Sequence, residues 1–598
     1  MKNLLRIALL PFLLCRVALL AADFHDWAPR PPMGWNSWDN FATAITETQA
    51  KAQADFMAEK LKSHGWEYLV VDIQWYEPGA KSHDYRKDAT LTMDAFGRLL
   101  PARNRFPSAV DGAGFKPLAD YVHGLGLKFG IHLMRGIPRQ AVEKNLPIAG
   151  TDLHAADIAD RDSICPWNPD MYGVNTKKPG AQAYYDSVFS LIASWGVDYV
   201  KVDDIARPYH PGEVEAIRAA IDRTGRPIVL SLSPGETTFA AAAHVNQHAN
   251  LWRISDDFWD AWPSLHEQFG RLARWNPYRL PGAWPDADML PLGVIDLGRR
   301  TTHFTGDEQR TLMTLWSIAR SPLMHGGDLL KTDAFTLSLL TNDDVLAVNQ
   351  ASANNRPLFD HDNLIAWIAD VPGSPDKYLA LFNACDQIAL DPAKAAYRSE
   401  LLTRKGKSTT GPVEIAVTGV ARLVLVIDDG GDGNASDRGV WMEPTLIDAE
   451  GKETRLTARP WRAAGGGWGQ VSTFDEKVER RPSIDGDRGA FGIAGHARCV
   501  VEYDLPPDCV TFRVRGGLDS DVVKANEGAT IRLLVFTGKP DALTRPGLPV
   551  ATDLTASGFP GGARIRDLWT GEDLGDATGT FAPVIPWHGA GLYRLSPR

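Results

Sequence analysis

Residues 197–204 read VDYVKVDD, a mostly apolar run that ends in charged residues. Strands of parallel sheets are covered on both faces and read as near-continuous apolar runs, as residues 197–200 do. Lys201, Asp203 and Asp204 do not fit such a strand unless its carboxyl end opens onto a site. The stretch therefore predicts a buried strand with functional side chains at an open end.

Seven more short runs of this kind lie between about residues 30 and 335, and amphipathic segments separate most of them. One such segment, residues 179–196, has apolar positions at helical spacing and stops at Gly196. Eight strands, mostly followed by helices, predict a (β/α)8 TIM barrel. A doubly wound open sheet is the alternative, but no glycine-rich phosphate turn follows the first strand. The runs are MGWNSW (33–38), YLVVDIQW (68–75), LKFGIHLM (127–134), VDYVKVDD (197–204), PIVLSLSPG (227–235), LWRISDD (251–257), AWPDADML (283–290) and SPLMHGG (321–327).

The chain changes character after about residue 345, where short β-type runs and glycine turns dominate. This pattern predicts antiparallel β-sandwich structure after the barrel. The 598 residues are too many for one hydrophobic core and enough for two to four domains. The net charge of −11 argues against a nucleic-acid partner, because phosphate binding needs a basic face.

The first 22 residues have basic positions, an apolar stretch and small residues before Asp23, which is typical of a secretory signal peptide. No later stretch has about 18 uninterrupted apolar residues, the length needed to cross a bilayer. We therefore expect a soluble protein that is secreted or periplasmic, without a membrane partner. Cys499 and Cys509 could pair across neighbouring strands or remain two buried thiols.

Polar residues follow most of the predicted strands, at the end where (β/α)8 barrels carry their active sites. Carboxylates crowded into one pocket repel each other, so such a cluster usually serves chemistry or ligand binding. A metal site is the rival interpretation, but the sequence contains no HxH, HExxH or EF-hand pattern, and we expect neither a metal nor another cofactor. The strand-end residues are Asp72, Gln74, Trp75, His132, Arg135, Lys201, Asp203, Asp204, Ser231, Ser233, Arg253, Asp256, Asp257, Asp286 and Asp288.

Two carboxylates that face each other suit glycoside hydrolysis, in which one attacks the anomeric carbon and the other protonates the leaving oxygen. Asp203 and Asp257 are 54 positions apart, about two strand-helix units. They should therefore lie on strands four and six of the same barrel. A carboxyl separation of about 5–5.5 Å would mean retention of configuration, and about 6.5–9.5 Å inversion.

Several of these motifs, in their order and spacing, resemble glycoside hydrolase family 27, the α-galactosidase family, over roughly residues 28–345. The resemblance implies a retaining exo-glycosidase without a cofactor, built as a barrel followed by an antiparallel β-domain. The motifs are PPMGWNSWDNF, LVVDIQW, GLGLKFGIH, SWGVDYVKVDD, LWRISDDFWDAW, WPDADML and SIARSPLMHGGDL.

The resemblance assigns roles to individual residues. Asp203 matches the family's nucleophile and Asp257 its general acid/base. The other residues are predicted to bind the sugar: Lys201 and Arg253 hydrogen-bond hydroxyls, Trp38 forms the aromatic wall, and Asp72, Ile73, His132, Ser233 and Asp286 complete the pocket. Asp204 and Asp256, beside the catalytic pair, fit equally well as helix caps or supporting groups.

One departure from the family pattern bears on the substrate. The family's Asp-Asp-x-Trp motif is Asp72-Ile73-Gln74-Trp75 here, and the missing second Asp helps α-galactosidases bind the hydroxyls at C4 and C6. β-L-Arabinopyranose has the ring stereochemistry of α-D-galactopyranose but no C6, and the chain resembles the β-L-arabinopyranosidase branch that carries Ile at this position. The alternatives are that Ile73 only repacks an α-galactosidase pocket, or that another glycoside, such as an α-glucan, is the substrate.

A second departure lies on strand five. The family's Cys-Glu-Trp, whose Glu contacts the sugar's 2-hydroxyl, is replaced by Ser-Leu-Ser-Pro-Gly at 231–235. Ser233 stands at the position of that Glu, and either Ser233 or Glu236 is a candidate to replace it.

The resemblance and the β-pattern together divide the chain into five parts. They are a signal peptide (1–22), the catalytic barrel (23–345), the first part of the C-terminal β-domain (346–390), an inserted β-sandwich (391–560) and the last part of that β-domain (561–598). The insert resembles the NPCBM family of carbohydrate-binding modules. Its Asp-rich turn, 428–437, could hold calcium or be a solvated turn, and Trp441, Trp461 and Trp468 could bind sugar or fill the core.

We conclude from the sequence that the chain is a secreted retaining exo-glycosidase for terminal α-D-galactopyranosyl or β-L-arabinopyranosyl residues. Its expected partner is a small-molecule or polysaccharide glycoside, and a homo-oligomer is compatible with the sequence. The contrary class is a non-catalytic sugar-binding protein on an inactive barrel.

Overall fold

Eight parallel strands form the N-terminal barrel. The computed structural model describes residues 23–598 except 386–388, 434–435, 467–470, 479–480, 522–527, 539–542 and 545–546. The barrel strands are β1 (Met33–Asn36), β2 (Tyr68–Val71), β3 (Lys128–Met134), β4 (Tyr199–Asp203), β5 (Val229–Leu232), β6 (Leu251–Arg253), β7 (Trp284–Asp286) and β8 (Leu323–His325).

The strands pair in sequence order from β1 to β7, and β8 pairs with β1. The ring closes just after β7, where Leu290 forms a parallel bridge with His325. The amide of Leu290 donates to the carbonyl of Met324 at 2.8 Å. The prediction of a (β/α)8 barrel is thus confirmed, and its strand ends share one rim.

A helix follows each strand and covers the outside of the barrel. Helix α3 ends before Gly196, whose φ of 83° is a conformation that glycine adopts without strain. Helix α7 begins at a capping box, in which Thr305 and Glu308 satisfy each other's amides. The helices are α1 (Glu47–Phe56), α2 (Lys116–Gly124), α3 (Ala181–Ser194), α4 (Pro211–Thr224), α5 (Ala242–His248), α6 (Trp262–Trp275), α7 (Gly306–Ala319) and α8 (Asp343–Ala351).

Excursions from the strand ends build up one face of the barrel. The largest is a three-stranded antiparallel sheet after β3, formed by Ile137–Pro138, Ala159–Ile164 and Met171–Val174. A hairpin of Val294–Ile295 and Arg300–Thr301 follows β7. Short helices add to this face and to the chain after β8: Trp38–Phe41, Arg139–Glu143, Ala155–Ile158 and Ala334–Leu340.

Two distant parts of the chain form the C-terminal β-sheet. Strands soon after the barrel pair with strands at the end of the chain, and Trp569 attaches the sheet to helix α7 through a 3.0 Å hydrogen bond to Thr314. The buried His588 also lies 2.8 Å from a carboxylate oxygen of Glu308 on α7. The six strands, in sheet order, are Ala353–His361, Leu364–Asp370, Lys377–Asn383, Ala590–Pro597, Ala563–Asp567 and Asp573–Ala577.

The residues between these strands form a second sandwich, as predicted for the insert. One sheet contains Tyr397–Arg398, Leu402–Thr403, Arg422–Asp428, Ala463–Gly465, Cys499–Asp504 and Thr530–Thr537. The other contains Val413–Ala416, Arg438–Asp448, Glu453–Arg455, Ser472–Asp475, Phe491–His496 and Cys509–Leu518. Between them lies an apolar core. The predicted fold class is therefore confirmed for both the barrel and the β-sandwich part of the chain.

The structure also resolves several alternatives within the insert. Trp441 is 1% exposed and belongs to the core, whereas Trp461 is half-buried at the surface and Trp468 lies outside the described residues. Cys499 and Cys509 are unpaired buried thiols. Within the described ranges, no group of three or more ligand residues is placed to hold a metal ion, and residues 434–435 of the Asp-rich turn are not described.

The N-terminal 22 residues, predicted to be a signal peptide, lie outside the described part of the chain. In residues 23–598 as described, no helix combines the length and apolar character that a membrane crossing requires.

Candidate active site

The carboxyl ends of the barrel strands surround a pocket of about 290 Å³, referred to here as the strand-end pocket. Six of the ten predicted site residues line it, together with six that the sequence did not assign to sugar binding or catalysis. The predicted ones are Trp38, Asp72, Ile73, Lys201, Asp203 and Asp257; the others are His83, Tyr85, Trp167, Arg207, Pro234 and Asp256.

The remaining four predicted residues lie around this pocket. His132 is completely buried and contacts Asp203. Ser233, Arg253 and Asp286 line a small cavity deeper in the barrel that shares Lys201 with the strand-end pocket. The structure thus places all ten residues at one end of the barrel, while their individual roles stay predictions.

Lys201 connects the two cavities and holds Asp72 in its charged form. Its ammonium donates to the Asp72 carboxylate at 3.0 Å, and the Asn36 amide donates to the same oxygen at 2.8 Å. Burial alone would raise the pKa of Asp72, but the charge of Lys201 and the hydrogen bonds lower it to about 2. Asp72 is therefore a fixed anionic acceptor at the edge of the pocket, suited to a sugar hydroxyl.

Asp203 is held as a carboxylate at the end of β4. The Nε2–H of His132 donates to one oxygen at 3.0 Å, and the amide of Asp204 donates to the other at 3.0 Å. Burial raises the pKa of Asp203, but the hydrogen bond and charge of His132, together with Lys201, lower it below its usual value. A buried, ionised carboxylate facing a pocket is the state that a nucleophile needs.

Asp257 has a different environment from Asp203. Its side chain is 57% exposed, against 12% for Asp203. Arg253 donates a hydrogen bond to Asp257 at 3.2 Å and forms an ion pair with the buried Asp288, with 2.7 Å between their nearest nitrogen and oxygen. The exposed carboxyl can reach both an entering leaving group and water, as an acid/base must.

Aromatic side chains form one wall of the strand-end pocket. The rings of Trp38 and Tyr85 are parallel to within 4°, with centroids 6.5 Å apart, and Trp167 lies 5.5 Å beyond Tyr85. Tyr85 and Trp167 come from excursions after β2 and β3, which have no periodic pattern. Sequence reasoning missed both for this reason.

The two acids beside the catalytic candidates each pair with an arginine. Asp204 is buried and accepts from Arg135 at 2.7 Å, whereas the exposed Asp256 accepts from Arg207 at 2.7 Å across the rim of the pocket. The first contact fixes the backbone after the end of β4, since Arg135 also donates to the Asp204 carbonyl at 2.7 Å.

Ser233 and Glu236 are the two candidates to replace the family's Glu on β5. Neither makes a polar contact with a residue of the strand-end pocket. The Ser233 hydroxyl is buried without a hydrogen-bond partner among the described residues. Glu236 instead accepts from Arg274 at 2.5 Å and lies 3.7 Å from Arg271. Of the two, only Ser233 lines a cavity at the strand ends.

Asp286 and Asp288, both among the strand-end residues of the sequence, form a buried carboxylate cluster with Asp39 near Arg253. Burial raises the pKa of Asp288 to about 6 and that of Asp286 above its usual value. Burial and the nearby Asp288 raise the pKa of Asp39 well above its usual value, and its Oδ2 has no partner among the described residues. Burial therefore disfavours the charged forms of all three acids.

Comparison with known proteins links this arrangement to characterised chains. Residues 30–171 and 168–351 match the protein family described as alpha galactosidase A. Residues 387–447 match the NPCBM/NEW2 domain, and 533–595 the alpha galactosidase C-terminal beta sandwich domain.

Individual relatives agree with these matches. Alpha-galactosidase 2 of Arabidopsis thaliana is 31% identical over 324 residues, 54% of this chain and 66% of that protein's length. Alpha-galactosidase A of Cellvibrio japonicus is 30% identical over 58% of this chain and 74% of its own. The crystal structure of a GH27 β-L-arabinopyranosidase from Geobacillus stearothermophilus is 38% identical, with a TM-score of 0.67, and the match covers 96% of this chain and 98% of that one. A variant of the same enzyme was crystallised with arabinose.

The environment of Asp203 predicts the effect of neutralising it. Asp203→Asn should lower kcat by at least about a thousandfold, because an amide cannot attack the anomeric carbon. Hydrolysis of an aryl glycoside measures this, with Asp55→Asn on helix α1 as the matched control. Residual activity within tenfold of the wild type in a folded variant would contradict the assignment.

The contact between His132 and Asp203 predicts a pH effect. His132→Ala removes a donor that lowers the pKa of Asp203, so that pKa should rise. Because the ionised form is the reactive one, activity should then be lost at a higher pH as the solution is acidified. The acidic limb of kcat/KM against pH tests this, with His123→Ala, far from the pocket, as control. An unshifted limb would show that His132 does not set the ionisation of Asp203.

Proposed function

Because the chain belongs to glycoside hydrolase family 27, the family of the alpha-galactosidases, we propose that it is a retaining exo-glycosidase with a preference for terminal β-L-arabinopyranosyl residues. The observation that carries the preference is the position of Ile73, which lines the strand-end pocket next to Asp72. Export through residues 1–22 is part of the proposal.

The proposed reaction follows from the two carboxyl environments. Asp203, ionised and buried, attacks the anomeric carbon while Asp257 gives its proton to the leaving oxygen. The sugar is then bound to Asp203 as an ester. Asp257, now a carboxylate, takes a proton from water, which attacks the same carbon and releases the sugar with its configuration retained.

The hydroxyls of the bound ring have polar partners within this pocket. Asp72 and Lys201 form a fixed acceptor and donor at one side, and Trp38 presents an aromatic face. Arg253 and Ser233 lie in the deeper cavity beneath them. These groups suit the ring that galactose and arabinopyranose share, so they support the reaction class and do not decide between the two sugars.

Ile73 is the residue that separates the two sugars. It is an apolar side chain where the family motif has a carboxylate, so a hydroxymethyl group at C5 would lose its acceptor. Burying that hydroxyl without a partner costs about 1–3 kcal/mol, or roughly ten- to a hundredfold in kcat/KM. A pentopyranoside has no such group, and its C5 methylene can pack against Ile73.

The second candidate function is that of an ordinary α-galactosidase. It is favoured by the names of the plant and bacterial relatives, which are alpha-galactosidases. Against it stands the likeness to the Geobacillus β-L-arabinopyranosidase, which is higher in identity and extends over almost the whole chain. No observation favours an α-glucan substrate.

Paired aryl glycosides test the proposed function directly. We expect kcat/KM for the aryl β-L-arabinopyranoside to exceed that for the aryl α-D-galactopyranoside by roughly ten- to a hundredfold. A preference for the galactoside would leave the enzyme class intact and refute the role of Ile73. Hydrolysis of neither would refute the function.

Restoring the family carboxylate should reverse the preference. Ile73→Asp supplies an acceptor for the C6 hydroxyl, so the arabinoside-to-galactoside ratio of kcat/KM should fall by about tenfold or more. Ile73→Leu keeps the wall apolar and is the matched control. Equal arabinoside-to-galactoside ratios of kcat/KM in both variants would show that residue 73 does not discriminate between sugars with and without C6.

A further inference from the structure

A second cavity, of about 380 Å³, lies between the barrel and the inserted sandwich, and we refer to it as the barrel–sandwich cleft. The barrel contributes residues of the segment after β6 and of the hairpin after β7. The sandwich contributes Trp461, residues 464–466 and Val471. The barrel residues at its centre are His83, Trp259, Asp260, Arg300 and His303.

This cleft adjoins the strand-end pocket. His83 lines both. Its ring is 5.7 Å from that of Trp38 on the pocket side and 6.3 Å from that of Trp259 on the cleft side. A row of aromatic rings therefore leads from the sugar wall into the cleft.

The cleft and the strand-end pocket are lined by the same segment of chain, the one that carries the predicted acid/base. Trp259 and Asp260 follow Asp257 by two and three residues, and they line the cleft while Asp257 lines the pocket. A general acid must reach the oxygen between the cleaved sugar and its leaving group. A leaving group within reach of Asp257 would therefore lie next to the segment that lines the cleft.

We propose that the barrel–sandwich cleft binds the leaving group of an oligosaccharide or polysaccharide, and that Trp461 of the inserted sandwich forms part of this subsite. The proposal rests on the proposed function, because it takes Asp257 as the acid/base. It gives the inserted sandwich a direct part in substrate recognition at the active site.

The chemistry of the cleft suits a neutral, hydroxyl-rich ligand. The rings of Trp461 and His303 lie 4.5 Å apart across the two domains. Burial lowers the pKa of both His83 and His303, so their imidazoles are neutral near pH 7 and can donate and accept. The cleft combines aromatic faces with hydrogen-bonding side chains, a combination that small-molecule sites use to fix the orientation of a ligand.

The polar groups of the cleft are held in place. Asp260 is buried and accepts from Arg300 at 2.5 and 3.0 Å. The amide of His303 donates to the same carboxylate at 2.5 Å. This network holds the segment just after the hairpin, where the His303 ring lies near that of Trp461, and it pairs the charges of Asp260 and Arg300.

The test compares two substrates with the same cleaved sugar. One is the aryl β-L-arabinopyranoside and the other an oligosaccharide that carries the same terminal sugar on a sugar leaving group. Trp461→Ala should lower the oligosaccharide-to-aryl ratio of kcat/KM by about tenfold, the effect of losing one aromatic contact. Trp461→Phe should restore most of it, and Leu401→Ala, an exposed residue of the same sandwich, is the control.

A binding measurement keeps this proposal separate from the proposed function. The Asp203→Asn variant, titrated calorimetrically with the uncleaved oligosaccharide, should bind about tenfold more weakly when Trp461→Ala is added. An unchanged Kd and an unchanged substrate ratio would overturn the subsite. If the wild type hydrolyses neither aryl glycoside, the proposed function fails, and the calorimetric result alone decides the subsite.

Discussion

The site depends on two buried cations, Lys201 and Arg253, which compensate the carboxylates at the strand ends. Ionised carboxylates cannot be buried together without partners, because desolvation and mutual repulsion both oppose it. Lys201 offsets Asp72 and Asp203, while Arg253 offsets Asp288 and meets Asp257. Both cations lie on barrel strands. The barrel backbone therefore fixes the positions of the acids that they contact.

The same arrangement separates the two catalytic candidates chemically. Asp203 is enclosed and bound by His132, so it is kept ionised without free access of water. Asp257 extends into the opening, where it can exchange protons with a leaving group and with water. A 3.2 Å contact with Arg253 connects Asp257 to the buried network, while 57% of its side chain stays exposed.

The parts of this structure that the sequence predicted are those with a periodic or positional signal. The barrel strands are apolar runs. Asp203, Asp257 and Lys201 were predicted as site residues because charged side chains at the end of a buried strand indicate that this end opens onto a pocket. Tyr85 and Trp167 lie on excursions without such a pattern, and their positions depend on packing between distant segments. The sequence alone does not distinguish the roles of Trp441 and Trp461. In the structure Trp441 fills the sandwich core, whereas Trp461 lines the cleft. The pairing of strands near residues 353–383 with those near 563–597 was foreseeable only from the family resemblance.

The proposed mechanism requires a covalent bond between Asp203 and the sugar. A 2-deoxy-2-fluoro β-L-arabinopyranosyl fluoride slows both steps but keeps a good leaving group, so a glycosyl-enzyme ester should accumulate. Intact-mass measurement followed by peptide mapping then locates it. One added glycosyl unit is expected, on the peptide that contains Asp203 and on that residue. Absence of a covalent adduct under conditions where the unmodified glycoside is hydrolysed, or an adduct on Asp204 or Asp257, would contradict it.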